Sequence, residues 1–207
     1  MPPFTVLHVC MGNICRSPMA ERLLARSVRD RIAVPAAARS AADDPAGALV
    51  RSVSAGTGGW HEGEEMNPPA GRQVRARGGS ETGFAARKLL GEHIDQADLV
   101  LTATADQVDY VVALRPDAAD RTFVLGEFGR LLSGLDPAPL PPAQTEPDAV
   151  YARGVAIVEA ANVHRGGQAP QPSDDLDDPW GRGDQTFARI ADEIEDAVVP
   201  FAALLLP

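Results

Sequence analysis

The string VCMGNICRSP, residues 9–18, constrains this chain more than any other stretch. Before it runs Phe4-Thr5-Val6-Leu7-His8-Val9, a β-branched and apolar segment that predicts a strand. After it, Met19, Ala20, Leu23, Leu24 and Val28 recur at helical spacing. Ser17 stands where an N-cap belongs, and Pro18 fits a first helical turn, where a missing N–H loses no partner. The intervening loop therefore joins a strand end to a helix N-terminus. Such a loop aims backbone N–H groups and the positive helix end at one point, which makes an anion site.

Chemistry follows from that placement. A thiolate is stabilised at a helix N-terminus, so Cys10 reads as a nucleophile. Arg16 keeps its charge and offers paired planar donors that match two oxyanion oxygens. Met11, Gly12, Asn13, Ile14 and Cys15 form the loop between them. Gly12 permits close approach of backbone to ligand, and Asn13 tolerates a left-handed turn while its amide braces the loop. A nucleophile, an oxyanion cradle and a cation converge, which suits attack of sulfur on phosphorus to give a phosphocysteine. Cys15 has two readings: a buried thiol on the loop's inner side, or a redox partner that traps oxidised Cys10 as a disulfide.

The rest of the chain alternates strand and helix patterns. Residues 51–54 predict a second strand leading into a Gly-rich loop through Trp60. Residues 64–83 predict one short helix, residues 84–90 another, and residues 98–103 a buried strand. Residues 106–114 predict a helix stopped before Pro116, and residues 121–125 a fourth strand. Residues 148–164 predict an extra helix, between a Pro-rich irregular segment at 133–146 and a linker-like one at 166–174. An Ala/Asp/Pro-rich stretch at 35–47 predicts a surface insertion. The expected fold is α/β, a four-stranded parallel sheet with helices on both faces. Its phosphate-binding loop follows the first strand, at the strand C-termini where such sheets bind ligands.

Composition excludes several classes. A net charge of −10 repels a duplex phosphate backbone, and no basic patch interleaves with aromatics. No apolar run reaches membrane length, and residues 1–4 lack the pattern of a signal peptide. The spacing of His, Cys and carboxylates suggests no metal site, and His61, amid Glu62, Glu64 and Glu65, reads as a surface residue. Two cysteines, one of them a nucleophile, point to a reducing, cytoplasmic setting. Nothing in the sequence sets the oligomeric state.

VCMGNICRSP resembles the active-site signature of the low-molecular-weight protein tyrosine phosphatases. Ser54-Ala55-Gly56-Thr57 with Trp60, His61 and Gly63 resembles the segment after that family's second strand. Asp178-Pro179-Trp180 with Phe187 resembles its general-acid loop and last helix. The resemblance covers about residues 4–30, 51–131 and 176–202. It implies a single phosphatase domain over 1–207, with insertions near 31–50 and 133–175. It implies dephosphorylation of phosphotyrosine in proteins by Cys10, Arg16 and Asp178, without cofactor or metal. Asn13, Ser17 and Ser54 would support the loop, and Ser17 would stabilise the departing thiolate. Many members carry a His where Phe84 stands and Tyr or Phe where Trp180 stands. Related arginine phosphatases have Thr where Ile14 stands. Two other classes are an arsenate reductase on the related fold, which usually relays through further cysteines, and a non-catalytic phosphate-binding module.

The acid also has a physical case. Tyrosine oxygen leaves poorly as an anion, because its pKa is near 10, and a carboxylic acid that donates a proton during cleavage removes most of that cost. Asp174, Asp175, Asp177 and Asp178 crowd one segment, and like charges so close oppose full ionisation. Pro179 restricts Asp178 to extended backbone. Asp174 and Asp175 read as a solvated acidic loop, Asp177 as the fallback acid. Trp60 and Trp180 read either as walls around an aryl ring or as caps on the core.

Overall fold

A computed structural model describes residues 1–32 and 45–207. Four parallel strands, β1 (Phe4–Cys10), β2 (Val50–Gly56), β3 (Leu99–Thr102) and β4 (Thr122–Val124), lie in the order β2-β1-β3-β4. Period-two alternation sorts their side chains onto two covered faces. Phe4 and Val6 of β1 and Leu99 and Leu101 of β3 enter the larger core. Leu7, Val9 and Val100 enter the smaller one. The larger face carries α1 (Arg16–Arg31), α6 (Leu125–Ser133) and α8 (Asp184–Leu205). Against the smaller pack Ile94 of α4 (Gly91–Asp95), Val111 of α5 (Ala105–Leu114) and Ala118 of the 3-10 turn Pro116–Arg121. Two further short helices are α2 (Pro45–Leu49) and α3 (Pro68–Ala76). The four-stranded sheet and its post-β1 loop agree with the sequence reading.

Two segments differ from expectation. Residues 84–90 are extended, not helical. Their backbone runs beside the end of β2, where Gly56 N donates to Arg87 O and Leu89 N to Gly56 O, so these groups serve a sheet-like edge instead of a helix ladder. The fourth strand stops at Val124, and Leu125 opens α6, whose first turn is closed by Glu127 accepting from Val124 N at 3.2 Å. Of the predicted insertion at 35–47, residues 35–44 lie outside the described residues; the last three begin α2, which buries Ala46 and Leu49.

The predicted extra helix is α7 (Pro147–Arg165). It meets the strands at their N-terminal ends, opposite the post-β1 loop. Tyr151 Oη donates to Asp98 just before β3, and Arg165 donates to the Ala119 and Thr122 carbonyls at the start of β4. Gly154 lies so close to the Phe4 ring that a Cβ there would sit 2.4 Å from it. Val150, Ile157, Val158 and Ala161 join the larger core.

His8 lies buried in β1 and illustrates the cost of a polar group inside the sheet. Ser52 Oγ donates to Glu21 O, so it accepts from His8 Nε2 at 3.1 Å, leaving Nδ1 buried without a partner. Burial pushes the imidazole down to about 3 from 6.5. The unfolded chain then binds a proton that the folded one refuses between those values, so stability falls as pH drops through that window. At about 1.4 kcal/mol per unit the full effect is roughly 4 to 5 kcal/mol. Urea unfolding of wild type and His8→Gln from neutral pH toward pH ~4 should show a shallower decline in the variant. Equal slopes would refute this account.

Candidate active site

The loop after β1 is built by its carbonyls. Cys10 O accepts from Thr57 N, Met11 O from Gly58 N and Ile14 O from Asn67 N, each at 2.9 Å. Among the described residues, the amides of residues 12–15 are spent on no other backbone group, which leaves them for an anion. Asn13 takes the left-handed conformation, φ 55°. Gly56, paired with Cys10 across β1 and β2, must be glycine, because a Cβ there would lie 2.7 Å from Met11 O. Helix α1 starts at Arg16 with Cys15 as its N-cap. Ser17 is thus inside the first turn and makes no cap; its hydroxyl is drawn to the sulfur of Cys10 instead.

That hydroxyl belongs to a chain behind the loop. Asn13 Nδ2 donates to Ser17 Oγ at 2.9 Å and to Ser54 Oγ at 2.8 Å. Both hydroxyls accept from the amide, so both protons point away from it. Ser17 Oγ lies 2.9 Å from Cys10 Sγ, and Ser54 Oγ donates to Glu21 Oε2 at 2.6 Å. The other end of the Asn13 amide accepts from Arg87 N at 2.9 Å. Glu21 is held above its usual range by burial, against Ser54, Arg22 and Arg87. Glu21 and Arg87 complete the chain where the Phe84 side chain supplies no hydrogen bond. Glu21 was legible as the residue four after Ser17 on one helix face; Arg87 was hidden by the helical reading of its segment.

In front of the loop lies a cavity of about 300 Å³, lined by Cys10, Met11, Gly12, Ile14, Cys15, Arg16, Trp60, His61, Asp178 and Trp180. Asn13, Ser17 and Ser54 stand behind it. Arg16 is buried, with Nη1 donating to Leu176 O at 2.9 Å and Nη2 3.7 Å from Asp178 Oδ2. Cys15 is buried and its thiol is pushed up to about 12, first by burial, then by Cys10 and Asp178 nearby, with Arg16 opposing. It stays a neutral thiol at physiological pH. Trp60 and Trp180 are exposed at the cavity rim, so neither caps the core.

The acidic segment is sorted by its partners. Asp174 is buried, contrary to the solvated reading: Arg130 donates to both its oxygens, at 3.1 and 2.7 Å, and burial is outweighed by these bonds so that its carboxyl stays below the usual range. Asp175 accepts from Ala105 N at 2.8 Å, and Asp177 pairs with Arg189 at 2.6 Å. Asp178 alone of the four lines the cavity. His61, read as a surface residue, lines it too. Its ring lies over Gly12, where a Cβ would sit 3.0 Å from Cδ2, and its Nδ1 is 2.8 Å from Glu64 Oε2. The three surrounding glutamates concealed this in the sequence.

Fold and site together define a cysteine-dependent phosphomonoesterase: a buried thiol under free amides and a guanidinium, with a carboxyl facing them. Among the described residues, no group of His, Cys, Asp and Glu is placed to hold a metal ion. The chain belongs to the low molecular weight phosphotyrosine protein phosphatase family, whose pattern matches residues 5–137. It is 37% identical over 135 residues to the low molecular weight protein-tyrosine-phosphatase of Streptomyces coelicolor, covering 65% of this chain and 71% of that protein. It is 34% identical over 134 residues to the protein-arginine-phosphatase of Geobacillus stearothermophilus, covering 65% and 75%. The solved tyrosine phosphatase amsI of Erwinia amylovora has the same fold, with TM-score 0.62 and 18% identity over 97% of this chain and 92% of that one. The protein is therefore a protein-tyrosine-phosphatase of the cysteine-based type, acting on phosphorylated protein.

Proposed function

We propose that this enzyme removes phosphate from phosphotyrosine, with Cys10, Arg16 and Asp178 as its catalytic residues. The observation that carries the tyrosine reading is the cavity mouth, where the adjoining rings of Trp60, His61 and Trp180 line the space in front of Cys10. A phenyl ring packs against such faces through offset or edge-to-face contacts. Ile14 lines the same cavity and adds an apolar wall.

In the first step Cys10 Sγ attacks phosphorus and the P–O bond to tyrosine breaks. Ser17, already directed at the sulfur, favours the thiolate before attack and again when it departs. Arg16 and the loop amides hold the equatorial oxygens as charge shifts onto them. Asp178 gives its proton to the leaving oxygen, then takes one from the water that releases inorganic phosphate from sulfur. The chain acts as one domain, working in the cytoplasm, with α7 and its flanks as additions to the family core. Among the described residues no helix is long and apolar enough to cross a membrane.

Hydrolysis of phosphotyrosine and phosphoarginine peptides, with EDTA and a reductant present, tests the reading. Phosphotyrosine should be preferred by about tenfold or more in kcat/KM, the scale that differential packing of one ring supports. A preference for phosphoarginine would overturn it.

A further inference from the structure

The acid loop is tied to the body of the protein upstream of Asp178 and becomes exposed just beyond the buried Pro179. Upstream, Leu176 N donates to Ala103 O at 2.8 Å, Leu176 O accepts from Arg16, and Asp177 is paired with Arg189. Downstream, residues 180–183 are exposed and turn at Gly181, φ 71°. Their contact across the cavity mouth is Trp180 with His61, ring centroids 5.5 Å apart at 45°. Among the described residues this is the aromatic contact that joins the loop after β2 to the acid loop. His61 is itself fixed, by Glu64 at Nδ1 and by Gly12 beneath its ring. Trp180 N in turn donates to Asp178 Oδ1 at 3.1 Å, so the position of Trp180 is passed directly to the carboxyl.

We infer that His61 is a positioning residue: its ring, clamped by Glu64, latches Trp180 and so holds Asp178 over the thiol in the proton-donating pose. This rests on Asp178 as the general acid. A ring pair in this geometry shifts a two-state loop equilibrium by roughly two- to tenfold, and proton donation should weaken by the same factor when the ring is removed.

The test compares His61→Ala and His61→Phe on phenyl phosphate, a poor leaving group, and dinitrophenyl phosphate, a good one. His61→Ala should lower kcat on phenyl phosphate roughly two- to tenfold more than on dinitrophenyl phosphate, with the lost ring wall raising KM for both substrates alike and inhibition by inorganic phosphate little changed. His61→Phe, which keeps a ring over Gly12, should recover most of that loss. In an Asp178→Ala background, His61→Ala should cause no further change in the ratio of the two substrates' kcat values, since both act on proton donation through one group. Equal kcat losses on the two substrates, weakened phosphate inhibition, no recovery in His61→Phe, or a further change in that ratio in the double variant would each overturn the latch. A leaving-group effect missing from Asp178→Ala itself would instead overturn the acid assignment.

Discussion

Cys10→Ser is expected to reduce turnover of aryl phosphates to background, by roughly 10⁴-fold or more, while inorganic phosphate still binds. A serine hydroxyl is a far weaker nucleophile at neutral pH than a cysteine sulfur and a far poorer leaving group, so the two-step cycle does not turn over. The cradle does not depend on sulfur. Its amides are oriented by carbonyl bonds to Thr57, Gly58 and Asn67, and Arg16 is set by Leu176. Calorimetric titration with phosphate should therefore give an affinity within a few-fold of wild type. Turnover retained in Cys10→Ser would remove Cys10 as nucleophile. Lost binding with a folded protein would mean that the sulfur organises the loop.

Asp178→Ala is expected to act through the leaving group. On phosphotyrosine, whose departing oxygen needs a proton, kcat should fall about 10²- to 10⁴-fold. On dinitrophenyl phosphate, which leaves without help, the fall should be smaller by at least about tenfold. Asp177→Ala provides the contrast. Asp177 is exposed and engaged by Arg189, so its loss should affect both substrates alike and weakly. The discriminating measurement is the ratio of the two substrates' rates across the variants. An Asp178→Ala ratio equal to wild type would refute the acid role, and an Asp177→Ala ratio that collapsed instead would transfer it.

Much of this site was written in local sequence. The strand, the loop and the helix start are adjacent, so Cys10, Arg16 and the loop residues between them could be placed by pattern alone. Their apolar periodicities, two in β1 and near 3.6 in α1, carry that information over short distances. What remained hidden depended on contacts between distant segments. Arg130 lies 44 positions before Asp174, and its guanidinium turns a seemingly solvated aspartate into a buried anchor. Residues 84–90 have the composition of a short helix, yet Gly56 and Asn13 claim their backbone groups. His61 sits among glutamates, and only the folded chain sets its ring against Trp180. The helix boundary also differs, with Cys15 at the N-cap and Ser17 in the first turn, its hydroxyl beside the Cys10 sulfur.

The chain of bonds behind the loop has a sense imposed at its centre. Asn13 contributes an NH₂ group that can only give protons, and it gives one to each serine. Each serine must then pass its own proton outward, one toward Cys10 sulfur and one toward Glu21. A single amide thus works like a divider with two like-facing outlets, so the nucleophile always meets a donor and never a lone pair. An isosteric carboxylate at position 13 would reverse both outlets at once, with every atom still in place. The site is therefore encoded in the direction of its protons as much as in the shape of its loop.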